Sequence, residues 1–449
     1  MARKRRGREG LALDWRTLSV YLLGVFLGAL DTNVIAPIFP LLEKGFHITL
    51  GWTAWTVTAY TVSYAVATVM GGALGDRLGH RPVFEGGLVA FGVASVLAAL
   101  SPNFGVFVLA RVIQGAGAGA VYPNAQAAGL NLFPEGRRGT ALGLFGAAFG
   151  MAAIIGPVVG GALGQYLGWP AVFWLNAPLA VVILMRSRGL TDAARRDRPL
   201  PDACGGASLS TFIASALLVL AISGRLRLLF AVVALASLLV FLWRERTARH
   251  PFLDWRPLGR RSGVALMTGA ALIGLDMSAV VFVPTLAQRD LAVSVFQSGV
   301  ALLPAAFSGA VASGLVGVLV DRIGGRRLIV GGLLAAVAGG ILLAWPPLDW
   351  LRFAVAMVVL GMATALTMGA PLNRLGIGLY RDDQTAEALA LMAVFRSVGL
   401  AAGPVVLTQA ARVHGFTGMF ASVALASLLG ALLFLLVPEG GRGEEPAPA

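Results

Sequence analysis

Charge is scarce in this chain. Only 13% of its 449 residues are Asp, Glu, Lys or Arg, about half the share of an ordinary soluble domain. A soluble fold of this length could not cover its surface with so few charged groups. Cysteine is scarcer still. Cys204 stands alone, so an internal disulfide and a cysteine-ligated metal site are both excluded. The four histidines are scattered without ligand spacing, and no metal is expected. The short alternating segments of a membrane β-barrel are missing. So is a Walker-type phosphate loop, which removes ATP as an evident fuel.

What the chain has instead is apolar length. Hydrophobic residues make up 57% of it, with a mean hydropathy of +0.80. Runs of roughly 20 apolar residues read as membrane-spanning helices. They are predicted at 18–42, 52–75, 83–101, 105–130, 139–166, 169–186, 206–224, 227–243, 262–287, 295–319, 327–346, 351–376, 385–410 and 416–437, fourteen in all. The basic start, Met1-Ala-Arg-Lys-Arg-Arg6, looks like the n-region of a signal peptide. The apolar run behind it is too long and lacks a cleavage site, so it is read as an uncleaved first span.

The net charge of +13 and pI of about 11.1 would suggest nucleic acid in a soluble protein. Here the basic residues lie in short loops. With fourteen spans and a cytoplasmic N-terminus, 27 of the 35 fall on the cytoplasmic side, 6 outside, and 2, Arg111 and Arg396, within spans. That bias is the positive-inside pattern, and it places both termini in the cytoplasm. No nucleic-acid partner is expected; the bilayer is.

The chain also repeats itself. Gly72-Ala-Leu-Gly-Asp-Arg-Leu-Gly-His-Arg81 returns as Gly317-Val-Leu-Val-Asp-Arg-Ile-Gly-Gly-Arg326, an offset of 245 from Asp76 to Asp321. Asp31 and Asp276 are also 245 apart, and Gly156-Pro157 returns 247 residues on as Gly403-Pro404. Three landmarks in different spans agree within two residues. They imply an all-α membrane protein of two related six-helix halves with two extra helices between them. The expected divisions are a basic tail at 1–17, bundles at 18–186 and 262–437, a linker with the extra pair at 187–261, and a tail at 438–449.

Few polar residues sit deep in the spans, and those few are candidates. A carboxylate in hydrocarbon costs at least ~2.5–3.5 kcal/mol, so Asp31 must face a wet cavity or a partner. Arg111 cannot lose its charge; Asp31 is its best partner within the membrane, with Gln114 one turn on. Asp276 is read as a substrate or proton site, or as an acid satisfied by Ser278 or water. Arg396 is expected to snorkel toward the cytoplasmic face. Asn33, Tyr60, Tyr122, Asn124 and Phe282 are candidate cavity residues, equally readable as helix–helix contacts. Gly143, Gly146, Gly150 and Gly156 form a small-residue face, and Pro157 bends its helix.

Several of these segments match a known pattern. Gly72-x-Leu-Gly-Asp76-Arg77-x-Gly79-His80-Arg81 resembles motif A of the major facilitator superfamily. Leu109-Ala-Arg111-Val-Ile-Gln114-Gly115-Ala-Gly117 resembles its motif B, and Gly156-Pro157-Val-Val-Gly160-Gly161 its antiporter motif C. Motif C usually opens with glycine, where this chain has Ala152. Leu30-Asp31-Thr32 and Trp169 through Phe173, Asn176 and Pro178 look like the fourteen-span drug:proton antiporters of the EmrB/QacA type. That resemblance implies a monomeric transporter of the bacterial inner membrane, not an enzyme, with no cofactor. It would export amphipathic or cationic drug-like molecules against protons by alternating access. Export of lipids or siderophores, proton symport, and a receptor or scaffold are the rival readings. The resemblance also implies proton coupling by Asp31 and Arg111. It assigns gating to Gly72, Asp76, Arg77, Gly79, Arg81 and the repeat pair Asp321 and Arg322. Asp76 would meet the start of the thirteenth span near Thr385, and Arg77 or Arg81 would pair with Glu135.

Overall fold

The computed structural model describes residues 15–133, 138–190, 202–222, 224–248, 261–377 and 385–438, and among them every regular element is helical. The first half contains α1 (Trp15–Val34), α2 (Phe39–Phe46), α3 (Leu50–Thr53), α4 (Trp55–Leu78), α5 (His80–Ala99), α6 (Phe104–Leu130), α7 (Arg138–Leu167) and α8 (Trp169–Ser187). An inserted hairpin follows, α9 (Ala203–Ala221) and α10 (Arg225–Thr247). The second half contains α11 (Arg261–Ser278), α12 (Val283–Asp290), α13 (Val295–Val300), α14 (Leu303–Ile323), α15 (Gly325–Ala344), α16 (Trp350–Thr367), α17 (Ala370–Ile377) and α18 (Thr385–Leu435).

The halves repeat in detail. α15 is α5 moved on by 245 residues at both ends. The tight loops before them turn on Gly79 (φ 105°) and Gly324 (φ 92°), a backbone region that only glycine enters freely. In the first half α1 passes through a 3-10 turn at Ala36–Ile38 into α2, and in the second α11 passes through one at Ala279–Phe282 into α12. Pro37 and Pro284 lack the N–H that an unbroken helix would need there. Each half packs as its own bundle: α1 lies against α6, α7 and α8, and α11 and α15 lie against α18.

Among the described residues twelve helical segments, rather than the expected fourteen, are apolar and long enough to cross a membrane. Two local features account for the difference. The 51-residue α18 is two helices joined across His414 and Gly415, whose backbone is not helical. The apolar part of α9, Cys204–Leu220, is shorter than the rest. Cys204 is exposed in the first turn of α9, not in a loop before it.

The inserted hairpin is tied at its open end. Arg244 donates from Nε and Nη2 to the two carboxylate oxygens of Asp202, both at 2.7 Å. That pairing holds the Asp202 carboxyl below the usual carboxylate range. Asp202 also caps α9 by accepting from the Cys204 backbone N–H at 3.1 Å. α9 lies against both α4 and α18 and so touches both bundles. Leu209 and Ile213 share a small apolar crevice there with Val62, Val66, Val394 and Val398.

Candidate functional site

The first bundle encloses a polar cluster with no water-facing side. Asp31 and Gln114 are fully buried and Arg111 is 1% exposed. Arg111 Nη1 donates to Asp31 Oδ2 at 2.6 Å and to Gln114 Oε1 at 2.6 Å. Gln114 Nε2 returns a bond to Asp31 Oδ1 at 2.9 Å and donates to Ser95 Oγ at 2.8 Å. Asn176 Nδ2 reaches the same Asp31 oxygen at 2.7 Å. Arg111 Nε donates to the Thr56 carbonyl at 3.2 Å, and its guanidinium lies 4.3 Å from the Tyr60 ring centroid. Five helices thus meet in one cluster, and α6 and α8 supply the three donors that face the Asp31 carboxylate. The fixed geometry offsets the desolvation of two buried charges, a condition few buried pairs meet.

Asp276, the repeat partner of Asp31, sits in a different environment. It is 8% exposed and accepts one bond, from Ser427 Oγ at 3.1 Å. Ser278 does not serve it; that hydroxyl donates to the Leu275 carbonyl of its own helix at 2.6 Å. Beside Asp276 is a cavity of about 10 Å³ lined by Val280, Gly340, Leu360, Thr364, Phe420 and Val423. The repeat explains the space. Positions 245 residues beyond Arg111, Gln114 and Ser95 hold Ala356, Val359 and Gly340. The second bundle keeps the acid and deletes its cation and its amide. Among the described residues no cation pairs with Asp276.

One end of the molecule is shut. The glycines of 156–161 make this possible, because a Cβ on Gly156 would stand 2.6 Å from that of Asn33, and one on Gly160 would collide with the Val34 carbonyl. Gly161 faces Val295 and Phe296 of the other bundle, and Gly299 is pressed against the Pro157 carbonyl. Around this seam Gln288 Nε2 donates to the Pro37 carbonyl at 3.0 Å, and the Phe296 N–H donates to Gln165 Oε1 at 2.8 Å. Arg289 pairs with Glu43 at 2.7 Å, and Phe39 meets Phe282 edge-on at 5.8 Å. The expected small-residue face is shorter than the sequence suggested. Gly143, Gly146 and Gly150 have nothing within 4 Å of an added Cβ.

At the opposite end lie the Gly79 and Gly324 loops. Here Gly71 and Gly75, not Gly72, are the points of closest approach. A Cβ on Gly71 would stand 2.8 Å from Ala120 Cα and one on Gly75 would overlap Asn124, whereas Gly72 meets Pro123 at an ordinary 3.6 Å. Asn124 is buried in this loop network. It donates to the Gly71 carbonyl at 2.8 Å and meets His80 Nδ1 at 2.9 Å. His80 lies 3.7 Å from Asp76. Arg81 binds Glu85 at 2.9 Å and the carbonyls of Leu190 and Arg188 at 2.6 and 3.1 Å. Its repeat partner Arg326 binds the carbonyl of Val437, 247 residues beyond Leu190, at 3.3 Å. Arg77 and Arg322 are exposed. The expected contacts with Glu135 and Thr385, and the side chain of Asp321, lie outside the described residues.

The candidate residues therefore divide among several places. Asp31, Arg111, Gln114 and Tyr60 share the first-bundle cluster, where Tyr60 Oη donates to the Gly28 carbonyl at 3.3 Å. Asn33 and Phe282 belong to the shut end, Asn124 to the loop network, and Asp276 to the second bundle. Tyr122 is partly exposed between the bundles. Sequence reasoning assigned no role to Ser95 or Asn176. Asn176 was legible as part of the family resemblance, and Ser95 only as a polar residue inside an apolar span, which often marks a contact between helices.

Two helical bundles, each with a buried acid, closed against one another at one end, define a multi-pass membrane transporter rather than an enzyme. Residues 21–404 match the Major Facilitator Superfamily, and the chain belongs to that superfamily. It is 30% identical to the puromycin resistance protein pur8 of Streptomyces alboniger, over 94% of this chain and 90% of that one. It is 30% identical to the tetracenomycin C resistance and export protein of Streptomyces glaucescens, over 81% and 71% of the two chains. The multidrug transporter protein MdtP of Bacillus subtilis (strain 168) is 29% identical, over 86% and 73%. Among solved structures, a D-xylose-proton symporter shares the fold with a TM-score of 0.72 at 16% identity, covering 95% of this chain and 99% of the other.

Proposed function

We propose that this chain is a proton-driven exporter of amphipathic, drug-like small molecules in a bacterial inner membrane, working as a monomer by alternating access. The observation that carries the reading is the Asp31–Arg111 pair, buried at 2.6 Å and bridged by Gln114. A transporter gains from a buried acid that changes partner or protonation as bundles rock; a scaffold or receptor gains nothing from its cost. The relatives named for antibiotic resistance and multidrug transport favour drugs over sugars as cargo.

In this reading the chain crosses the membrane fourteen times, with both termini in the cytoplasm. The basic loops motivate that orientation, and so does the two-helix character of α18 across His414 and Gly415. The shut end then faces outward. Packing of Gly156, Pro157, Gly160 and Gly161 across the seam seals against ion leak. The loop containing Asp76, Gly79 and Arg81 acts as the gate at the cytoplasmic end. A preference for cations draws little support from Asp276, which faces Ser427 inside the second bundle. Asp276 is better suited to a second proton.

The test is substrate movement in inside-out vesicles under an imposed pH gradient, with puromycin and ethidium as trial cargoes. Wild type should accumulate cargo against its gradient as protons leave the vesicle. Asp31→Asn, at equal protein level, should bind cargo and exchange it downhill but no longer concentrate it. Uphill pumping by Asp31→Asn at the wild-type rate overturns the coupling role. Proton and cargo moving in the same direction would make the protein a symporter.

A further inference from the structure

A second arginine within a span, Arg396, is half-buried where the bundles meet, and the cluster described above does not use it. Arg396 is on α18, eleven residues from its start and beside the end of α16. Its Nη1 points to Met368 Sδ at 3.3 Å. From the other bundle, the phenols of Tyr64 on α4 and Tyr122 on α6 lie within electrostatic reach of the guanidinium.

The contrast with Arg111 is chemical. Arg111 spends its donors on a carboxylate, an amide oxygen and a backbone carbonyl. Arg396 has five N–H donors and meets one thioether sulfur, a weak acceptor. Among the described residues no carboxylate pairs with it. An arginine within a membrane span calls for an anionic or carbonyl partner. Arg396, Tyr64 and Tyr122 are each partly exposed, so they border open space between the bundles. The helix opposite is interrupted at the same place. α16 ends at Thr367, Gly369 takes φ 66°, and an added Cβ there meets nothing within 4 Å. Interrupted helices of this kind line substrate sites in secondary transporters. Both buried acids are turned away from this space, Asp31 into the first bundle and Asp276 into the second. The interface therefore presents a positive centre.

We propose that Arg396, half-buried beside Met368 at the break after α16, holds a carboxylate or comparable oxyanion of the transported amphipathic molecule between the two bundles. The proposal rests on the transport reading for its ligand, and not on proton coupling or on the direction of flux.

The test is equilibrium binding to the purified chain in nanodiscs, read by tryptophan-to-pyrene energy transfer against empty nanodiscs. The probes share one skeleton: 1-pyrenebutyric acid, 1-pyrenebutanol and 1-pyrenebutylamine. The acid should bind about tenfold more tightly than the alcohol, as charge-assisted hydrogen bonds allow, and the amine more weakly than either. Arg396→Gln should erase the preference for the acid and leave binding of the alcohol unchanged. Arg396→Lys, which keeps the charge without the planar fork, should retain part of it. Equal affinity for all three probes, or an acid preference that survives Arg396→Gln, overturns the proposal. Should Arg396→Gln fail to accumulate, an unchanged acid-to-alcohol ratio in Arg396→Lys does so. Because no flux is measured, an acid preference with no export in vesicles would sink the exporter reading and leave this site standing.

Discussion

Tyr60 and Tyr64, one turn apart on α4, stack with ring centroids 6.1 Å apart. Tyr60 lies over the guanidinium of Arg111, with its ring centroid 4.3 Å away. One helix therefore extends aromatic contact outward from the buried pair of the first bundle. The i, i+4 spacing places both rings on one side of the helix. Any shift of α4 must move both rings together.

The Asp31–Arg111 pair should show strong coupling in a double-mutant cycle. Arg111→Gln leaves a carboxylate buried without its cation and should cost about 3–5 kcal/mol. Asp31→Asn in the same chain should recover a large part of that loss, because both charges are then gone. Thermal unfolding of purified protein in one detergent measures all four corners of the cycle. Additive losses would mean that the two side chains do not depend on each other.

Asp276→Asn should impair uphill export of cationic and neutral cargoes to a similar degree. The acid bonds to Ser427 and adjoins a cavity wide enough for about one water, so it is placed to hold a proton rather than a drug. Matched vesicle assays with ethidium and a neutral cargo separate the outcomes. Loss confined to ethidium would return Asp276 to the role of a cation site.

The shut end should open when a methyl group is forced into it. Gly299 is pressed against the Pro157 carbonyl, backbone on backbone, so Gly299→Ala must push the seam apart. In a Cys204→Ser background carrying Phe39→Cys, Gly299→Ala should raise labelling by a membrane-impermeant thiol reagent in intact spheroplasts several-fold. Unchanged labelling would show that the seam tolerates the methyl group.

The Asp202–Arg244 pair predicts a particular pH dependence. Arg244 holds the Asp202 carboxyl below its ordinary value of 3.8. A lowered carboxyl pKa adds stability above the unfolded value, and that stability is lost as pH falls through the folded value. The difference in melting temperature between wild type and Arg244→Gln should be constant from pH 8 to 5 and should shrink below about pH 4. A difference that grows on acidification would contradict the pairing.

The sequence by itself determined the class of this protein. Apolar runs, basic loops and the 245-residue repeat depend only on hydropathy and order, which a bilayer reads almost residue by residue. Asp31 and Arg111 were legible as partners because so few charges lie inside the spans. Tertiary structure decided what each polar group meets. Asn176, Ser95 and Gln114 are distant in the chain, and only the packing of α5, α6 and α8 around α1 brings them to one carboxylate. The fate of Asp276 likewise depended on what its neighbours lack, since Gly340 and Ala356 signal nothing along the chain. Arg396 differs for a related reason. Position in a span gives the depth of a side chain, but its direction is set by the neighbouring helices. Here the end of α16 brings Met368 to the guanidinium, a contact that nothing along the chain signals.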